Sequence, residues 1–108
     1  MRKNSIEEQL HALMEDIPHG RVVSYGDLAR SLGIVPVQVG RLLARVPEGL
    51  PWHRVVGADG ALRIARRAPE HAALQRALLA AEGILLDDHG RVPAEFFDET
   101  NTSRLVHA

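Results

Sequence analysis

The 108-residue sequence contains no cysteine. That absence excludes disulfides, thiolate zinc sites and thiol nucleophiles together. Aromatic residues are scarce, 4% of the chain, and include a single tryptophan, Trp52. Lysine occurs once, at Lys3, so arginine supplies twelve of the thirteen basic residues. No apolar run approaches the roughly 18 residues of a membrane span. Residues 1–8 contain no apolar h-region, so no signal peptide is expected, and a cytoplasmic location is the default. With 45% hydrophobic and 25% charged residues, the chain has the profile of one ordinary globular domain. A domain of this size buries about two-thirds of its unfolded surface and needs no metal or disulfide to fold.

The formal net charge of −1 conceals an asymmetry. Residues 21–67 carry eight arginines (21, 30, 41, 45, 54, 63, 66 and 67) against Asp27, Glu48 and Asp59, a local charge of +5. The flanking segments 1–20 and 68–108 carry −2 and −4. A basic centre between acidic ends suits an anionic partner. Scattered arginines on a solvated face would give the same count. The arginine bias favours bidentate contact with phosphates or bases, although base composition of the genome produces the same bias.

The helical signals are local. Ser5 and Glu8 have capping-box spacing, and Ile6, Leu10, Leu13, Met14 and Ile17 follow a helical period before Pro18 and Gly20 end it. After the extended Arg21-Val22-Val23, Ser24 caps a second helix with Asp27 three residues on. Its face is Tyr25, Leu28, Ala29 and Leu32, and Gly33 stands at its C-terminal stop. Pro36 opens a third helix with the stripe Val39, Leu42, Leu43 and Val46. Two short helices joined by Gly33-Ile34-Val35 predict a helix-turn-helix. Val37, Arg41, Ala44 and Arg45 point away from the third helix's stripe. With small Gly40 and Ala44 beside two cations, that face suits close approach to a nucleic-acid groove. A surface whose small residues serve packing is the alternative.

Beyond Pro47, the Ala58-Asp59-Gly60-Ala61 turn and the alternation Leu62-Arg63-Ile64 predict a small β-hairpin or wing. Pro69 opens a further helix with Leu74, Ala77, Leu78 and Ala81 expected inward. The fold expected is mainly α, a winged helix-turn-helix-like single domain over residues 1–97, with a polar, mobile tail over 98–108.

Chemistry-bearing residues are few. His11, His19, His71, His89 and His107 lack metal-ligand spacing, and no Gly-rich phosphate loop or paired-carboxylate motif occurs. Neither metal nor cofactor is expected. A lone tryptophan is usually core, because it buries so much area. Here Pro51 precedes Trp52, and His53 and Arg54 come after it, a setting that suits the wall of a cavity. His53 could act as a general base, but no Ser or Cys nucleophile stands beside it.

Three stretches together resemble one family. Ile17-Pro18-His19-Gly20-Arg21-Val22-Val23-Ser24-Tyr25-Gly26-Asp27-Leu28-Ala29 is similar to the opening of the DNA-binding domain of O6-alkylguanine-DNA alkyltransferases. Pro51-Trp52-His53-Arg54-Val55-Val56 resembles that family's active-site segment, Pro-Cys-His-Arg-Val, with Trp in place of Cys. Leu78-Leu79-Ala80-Ala81-Glu82-Gly83 is similar to its closing Leu-Leu-x-x-Glu-Gly. Order and spacing agree over residues 5–86. The Trp substitution resembles the non-catalytic, alkyltransferase-like branch.

The resemblance implies a non-enzymatic DNA-damage sensor. Such a protein binds O6-alkylguanine in double-stranded DNA, flips the base and flags it for nucleotide excision repair. It implies a lesion pocket built from Tyr25, Trp52, His53 and Arg54, with Tyr25 supporting rotation of the target phosphate and Arg54 holding the pocket wall. It places Val37, Gln38, Gly40, Arg41, Ala44 and Arg45 of the third helix in the minor groove, and Arg63, Arg66 and Arg67 on the pocket-side loop. The family's intercalating arginine falls at Val37, so Arg41, one turn on, is expected to take part of its role, with Gln38 the second candidate. The partners implied are alkylated duplex DNA and nucleotide excision repair proteins; a monomer and no membrane association are expected. The competing reading is a winged helix-turn-helix regulator of undamaged DNA, and a third is a hydrolase using His53.

Overall fold

Both expected capping boxes form. A computed structural model of the chain describes residues 5–66 and 69–98, without the side chains of Ala65 and Arg66. Ser5 Oγ accepts the Glu8 N–H at 3.1 Å while Glu8 Oε1 accepts the Ser5 N–H at 2.9 Å, opening helix α1 (Ile6–Glu15). Ser24 Oγ accepts the Asp27 N–H at 3.0 Å, opening α2 (Tyr25–Leu32). The buried Asp27 also takes the Arg30 guanidinium one turn on. Gly33 closes α2 with φ +73°, a left-handed conformation that costs glycine little. Pro36 then starts α3 (Pro36–Leu43), which completes the helix-turn-helix.

The third helix is shorter than its periodicity predicts. It ends at Leu43, so Arg45 and Val46 lie in the turn beyond it, where their N–H groups still reach Leu42 O at 3.0 Å and Leu43 O at 3.3 Å. Pro47, unable to donate a backbone hydrogen bond, comes directly after. A 3₁₀ turn at Trp52–Arg54 leads into β2 (Val55–Val56).

The expected β-hairpin does not form. β2 pairs in parallel with β1 (Val23–Ser24), Val23 facing Val55 and Ser24 facing Val56, and the α2–α3 pair is the crossover that a parallel pairing needs. The predicted turn is real, with the Gly57 N–H donating to Ala61 O and the Gly60 N–H to Gly57 O, both at 2.8 Å. The chain beyond this turn takes another course. Ala61 bridges Arg91, the Val92 N–H donates to Gly60 O at 2.9 Å, and residues Arg63–Arg66 coil into a 3₁₀ helix. Gly60 fixes this crossing, because its φ is +86° and a Cβ there would lie 2.4 Å from Val92 O.

The short sheet separates two apolar cores. Val23 and Val55 face Leu10, Met14, Ile17, Leu28, Ala29 and Val39, while Val22 and Val56 face Leu79, Ile84 and Val92. Adjacent strand residues point to opposite faces, so two consecutive valines in each segment serve both cores. The chain returns at its far end beside β1. The Val22 N–H donates to Phe96 O and the Asp98 N–H to Val22 O, both at 2.9 Å, so the buried Asp98 belongs to the fold. Residues 99–108, expected to be a mobile tail, lie outside the described residues.

Helix α4 (Pro69–Ala81) packs by a different face from the one expected. Gln75 and Leu79 are buried, whereas Leu74, Ala77 and Ala81 are exposed and Leu78 is half-buried. Apolar residues surround the second half of this helix, so their positions define no single stripe. The Gln75 amide enters the interior because two carbonyls await it there.

The Ser24 cap joins β1 to the helix-turn-helix, which makes it a test of the local reading. Ser24→Ala should lower stability by about 1 kcal/mol, seen as a lower denaturant midpoint at unchanged slope. An unchanged midpoint would mean that the cap contributes nothing.

Candidate functional site

A cavity of about 880 Å3 opens between the helix-turn-helix and α4, within the size range of small-molecule and cofactor sites. Val37, Gly40 and Leu43 of α3, with Ala44 at its C-cap, form one wall. Tyr25, the first residue of α2, borders it, half-buried beside the cap that fixes its backbone. Trp52 also lines it, its ring edge-on to His53 at 6.3 Å and tilted against His71 of α4 at 6.2 Å. Gly57, Ala58, Arg63 and Ile64 come from the loop after β2, and Leu74 and Gln75 from α4. Among the described residues no carboxylate lines the cavity, and its basic side chains are Arg63 and His71. Such a chamber accepts a flat, largely apolar ring and tolerates electron-rich edges.

The structure thus brings together Tyr25, Val37, Gly40, Ala44, Trp52 and Arg63 of the residues expected from sequence. Arg41 and Arg45 are exposed at α3 and the turn beyond it, outside the lining. Gln38 is engaged locally, its Oε1 accepting the Val35 N–H at 3.0 Å, which satisfies a free donor at the start of α3. Asp59 holds Arg63 at 3.4 Å. The Arg66 side chain and all of Arg67 lie outside the described residues.

His53 and Arg54 do not line the cavity and meet Glu82 instead. His53 Nε2 lies 2.6 Å from Glu82 Oε2. Arg54 Nε donates to both carboxylate oxygens at 3.0 and 3.1 Å, and a second guanidinium nitrogen donates to Oε2 at 2.9 Å. The remaining guanidinium nitrogen donates to Ile17 O at 2.8 Å. The Gly20 N–H donates to Glu82 Oε1 at 2.7 Å. Burial pushes this carboxyl up, but the bonds from Arg54, His53 and Gly20 outweigh it and hold Glu82 at about 2. The carboxylate is therefore ionised at neutral pH and accepts, so His53 Nε2 carries the proton. Sequence reasoning noted Glu82 only within its closing motif. The signal that could have found its role was Arg54, a half-buried cation that needs a partner.

Residues 5–84 match the DNA-binding domain of 6-O-methylguanine DNA methyltransferases. The chain belongs to this family. It is 36% identical over 95 residues to the DNA base-flipping protein of Escherichia coli strain K12, covering 84% of this chain and 71% of that protein. It is 33% identical over 66 residues to alkyltransferase-like protein 1 of Schizosaccharomyces pombe, covering 57% of this chain and 61% of the relative. The S. pombe alkyltransferase-like protein solved in complex with damaged DNA containing O6-carboxymethylguanine superposes with a TM-score of 0.74 at 25% identity. That alignment covers 91% of this chain and 98% of the other. Both the family and the fold expected from the sequence therefore hold, the parallel pairing of β1 and β2 apart.

In this member of the methyltransferase DNA-binding family, Glu82 sets an acid limit on stability. Its pKa falls from 4.5 to about 2 on folding. A depressed carboxyl stabilises the fold above its unfolded pKa, and that contribution disappears as pH falls through the folded one. Its size is on the order of 3 kcal/mol. Wild-type stability should therefore fall between about pH 4.5 and about pH 2 by more than that of Glu82→Gln, which has no group to titrate there. Parallel stability–pH curves for the two proteins would remove Glu82 from this role.

Proposed function

We propose that this chain is a non-enzymatic sensor of alkylated DNA that binds O6-alkylguanine in a duplex and flips the base into the cavity lined by Trp52. The observation that carries the reading is the position of Trp52. The residue that stands where the resembling enzymes have cysteine lines the same cavity as the small-residue face at α3. Alkyl transfer to protein requires a strong nucleophile, and an indole has none, so the site holds a lesion without accepting its alkyl group. Flipping costs a few kcal/mol of unstacking, less for a poorly paired base. Stacking on an aromatic wall, about 1–3 kcal/mol per base, offsets it.

Two relatives support the reading by what they are named for, base flipping in E. coli and a complex with O6-carboxymethylguanine DNA in S. pombe. In this reading α3 lies in the minor groove, where Gly40 and Ala44 permit close approach and Arg41 and Arg45 meet phosphates or bases. Tyr25, which borders the cavity, supports the rotated phosphate in this reading. The held lesion then recruits nucleotide excision repair proteins to a cytoplasmic, monomeric sensor that uses no cofactor. A regulator of undamaged DNA would have no use for a cavity behind its recognition helix.

The test compares duplexes carrying O6-methylguanine or guanine at one position and fixed salt, because phosphate contacts alone are salt-sensitive. The lesion duplex should bind more tightly and change Trp52 fluorescence, and no labelled methyl group should reach the protein. Equal affinity for the two duplexes, or stoichiometric labelling, overturns the proposal. Arg41→Ala should cost about 1–3 kcal/mol of lesion binding and reduce discrimination. An equal loss on both duplexes would reduce Arg41 to a phosphate contact.

A further inference from the structure

The acidic C-terminal part of the chain, −4 over residues 68–108, takes no part in the proposed lesion site. A second concavity lies within it, a groove of about 470 Å3 between the end of α4 and the segment that follows. Ala80, Ile84, Leu85 and Leu86 supply its apolar lining, and Arg76, Asp87 and Asp88 its charges. Leu85 is 69% exposed, more than Val35, Val37 or Leu74. Asp87 Oδ1 accepts the His89 N–H at 2.8 Å and the Arg91 N–H at 3.1 Å, and the Asp87 N–H donates to Arg91 O at 2.8 Å. These bonds fix the turn that carries Asp88. The N–H groups of Arg91 and His89 also hold the Asp87 carboxyl below the usual carboxylate range, so it is charged at neutral pH. Asp88 is exposed and has no salt-bridge partner among the described residues. Arg91, close by in sequence, pairs with Asp59 at 4.0 Å instead.

At 3.6 residues per turn, Arg76 and Ala80 lie on the side of α4 opposite His71, Leu74 and Gln75, which border the first cavity. A duplex seated on α3 therefore leaves the groove open. We infer that this groove docks a short segment of a partner protein, an aliphatic side chain flanked by lysine or arginine. The aliphatic group lies against Leu85 and the cations against Asp87 and Asp88. The inference rests on the reading of the chain as a sensor that recruits repair proteins, and it names the chemistry of that contact. Charge and size choose this occupant. An acidic rim repels nucleic acid. A twofold dimer would set the same acidic rim against itself, and a stable one buries about 800 Å2 on each partner, more than a groove for a few side chains offers. Arg76, on the α4 side, gives the segment a direction, because cations are favoured only at the Asp87–Asp88 end.

Three synthetic peptides of equal length test the chemistry on the full chain. One carries a leucine pair flanked by lysines, one has glutamate for each lysine, and one has serine for each leucine. The lysine–leucine peptide should bind about ten-fold more tightly than either control and move the amide resonances of Leu85, Leu86 and Gly90. Leu85→Ser and Asp88→Lys, both at exposed positions, should each weaken it by about ten-fold. Asp88→Lys should also narrow its advantage over the glutamate peptide. Equal binding of the lysine–leucine and lysine–serine peptides overturns the inference, as does unchanged affinity in either variant. A second measurement uses purified nucleotide excision repair proteins and a duplex carrying O6-methylguanine. Leu85→Ser should bind that duplex as wild type does but bring fewer of these proteins to it, and equal recruitment by the two also overturns the inference. Should wild type bind the lesion and recruit none of them, or bind O6-methylguanine no better than guanine, the sensor reading itself fails, a result distinct from the peptide titrations.

Discussion

The Glu82 carboxylate is the contact on which the positions of three segments depend. It ties the end of α4 to the Trp52–Arg54 turn through His53 and Arg54, and to the turn after α1 through the Gly20 N–H. Arg54 extends the tie to Ile17 O. Side-chain exposures of 7% for Glu82, 12% for His53 and 16% for Arg54 place these charges largely out of water. A pair so buried is favourable only when its remaining hydrogen-bonding capacity is satisfied, and here both carboxylate oxygens accept from more than one donor. Losing one partner would strand the others, which makes the cluster a specifier of one arrangement. The indole next to His53 inherits that rigidity, so part of the cavity lining is set by an ion pair that does not itself line it.

The sheet acts as the second constraint. Two residues in each strand are too few to be stable alone, and their value lies in alternation. Val23 and Val55 complete one core, and Val22 and Val56 the other, so neither core can shift without moving the crossover helices. That crossover is the helix-turn-helix. Val39, the buried residue of α3, seats the helix on the first core and leaves Val37, Gly40 and Ala44 turned to the cavity.

The features legible in the sequence were local ones. The Ser5–Glu8 and Ser24–Asp27 caps, the stop at Gly33 and the start at Pro36 each depend on residues three or four apart, and each forms. The parallel pairing of Val23 with Val55 joins segments 32 residues apart through four residues of strand, too short a run to carry a signal of partner or direction. The alternation of Leu62, Arg63 and Ile64 predicts a strand after Gly60, but the neighbour there is the Arg91–Val92 segment, and residues Arg63–Arg66 coil instead. On α4 the apolar residues pointed to Leu74 and hid Gln75, since an amide is buried only where carbonyls meet it, and those carbonyls belong to a segment 20 residues earlier. Among the site residues, Tyr25 and Trp52 could be placed because they lie within contiguous motifs. The roles of His53 and Arg54 depended on Glu82, a non-local partner, and periodicity gives no access to that.

The rim of the cavity carries a cost that bears on its use. Val35 and Val37 at the tip of α3 are 55% and 56% exposed, and Leu74 across the opening is 48% exposed. Of these, Val37 and Leu74 border the cavity. Scattered apolar side chains need no explanation, but two that flank one concave opening beside a tryptophan form a surface that gains by being covered. At about 25 cal/mol per Å2, covering such side chains contributes a few kcal/mol in total, comparable to the cost of unstacking one base. On the proposed function, the apolar rim and the Trp52 wall together supply what a nucleophile supplies in the resembling enzymes, a reason for the base to remain in the protein. A thiolate retains its substrate's alkyl group through a covalent bond. On the proposed function this site holds the base by shape and stacking, so the bound state would stay reversible, as a marker for other proteins must.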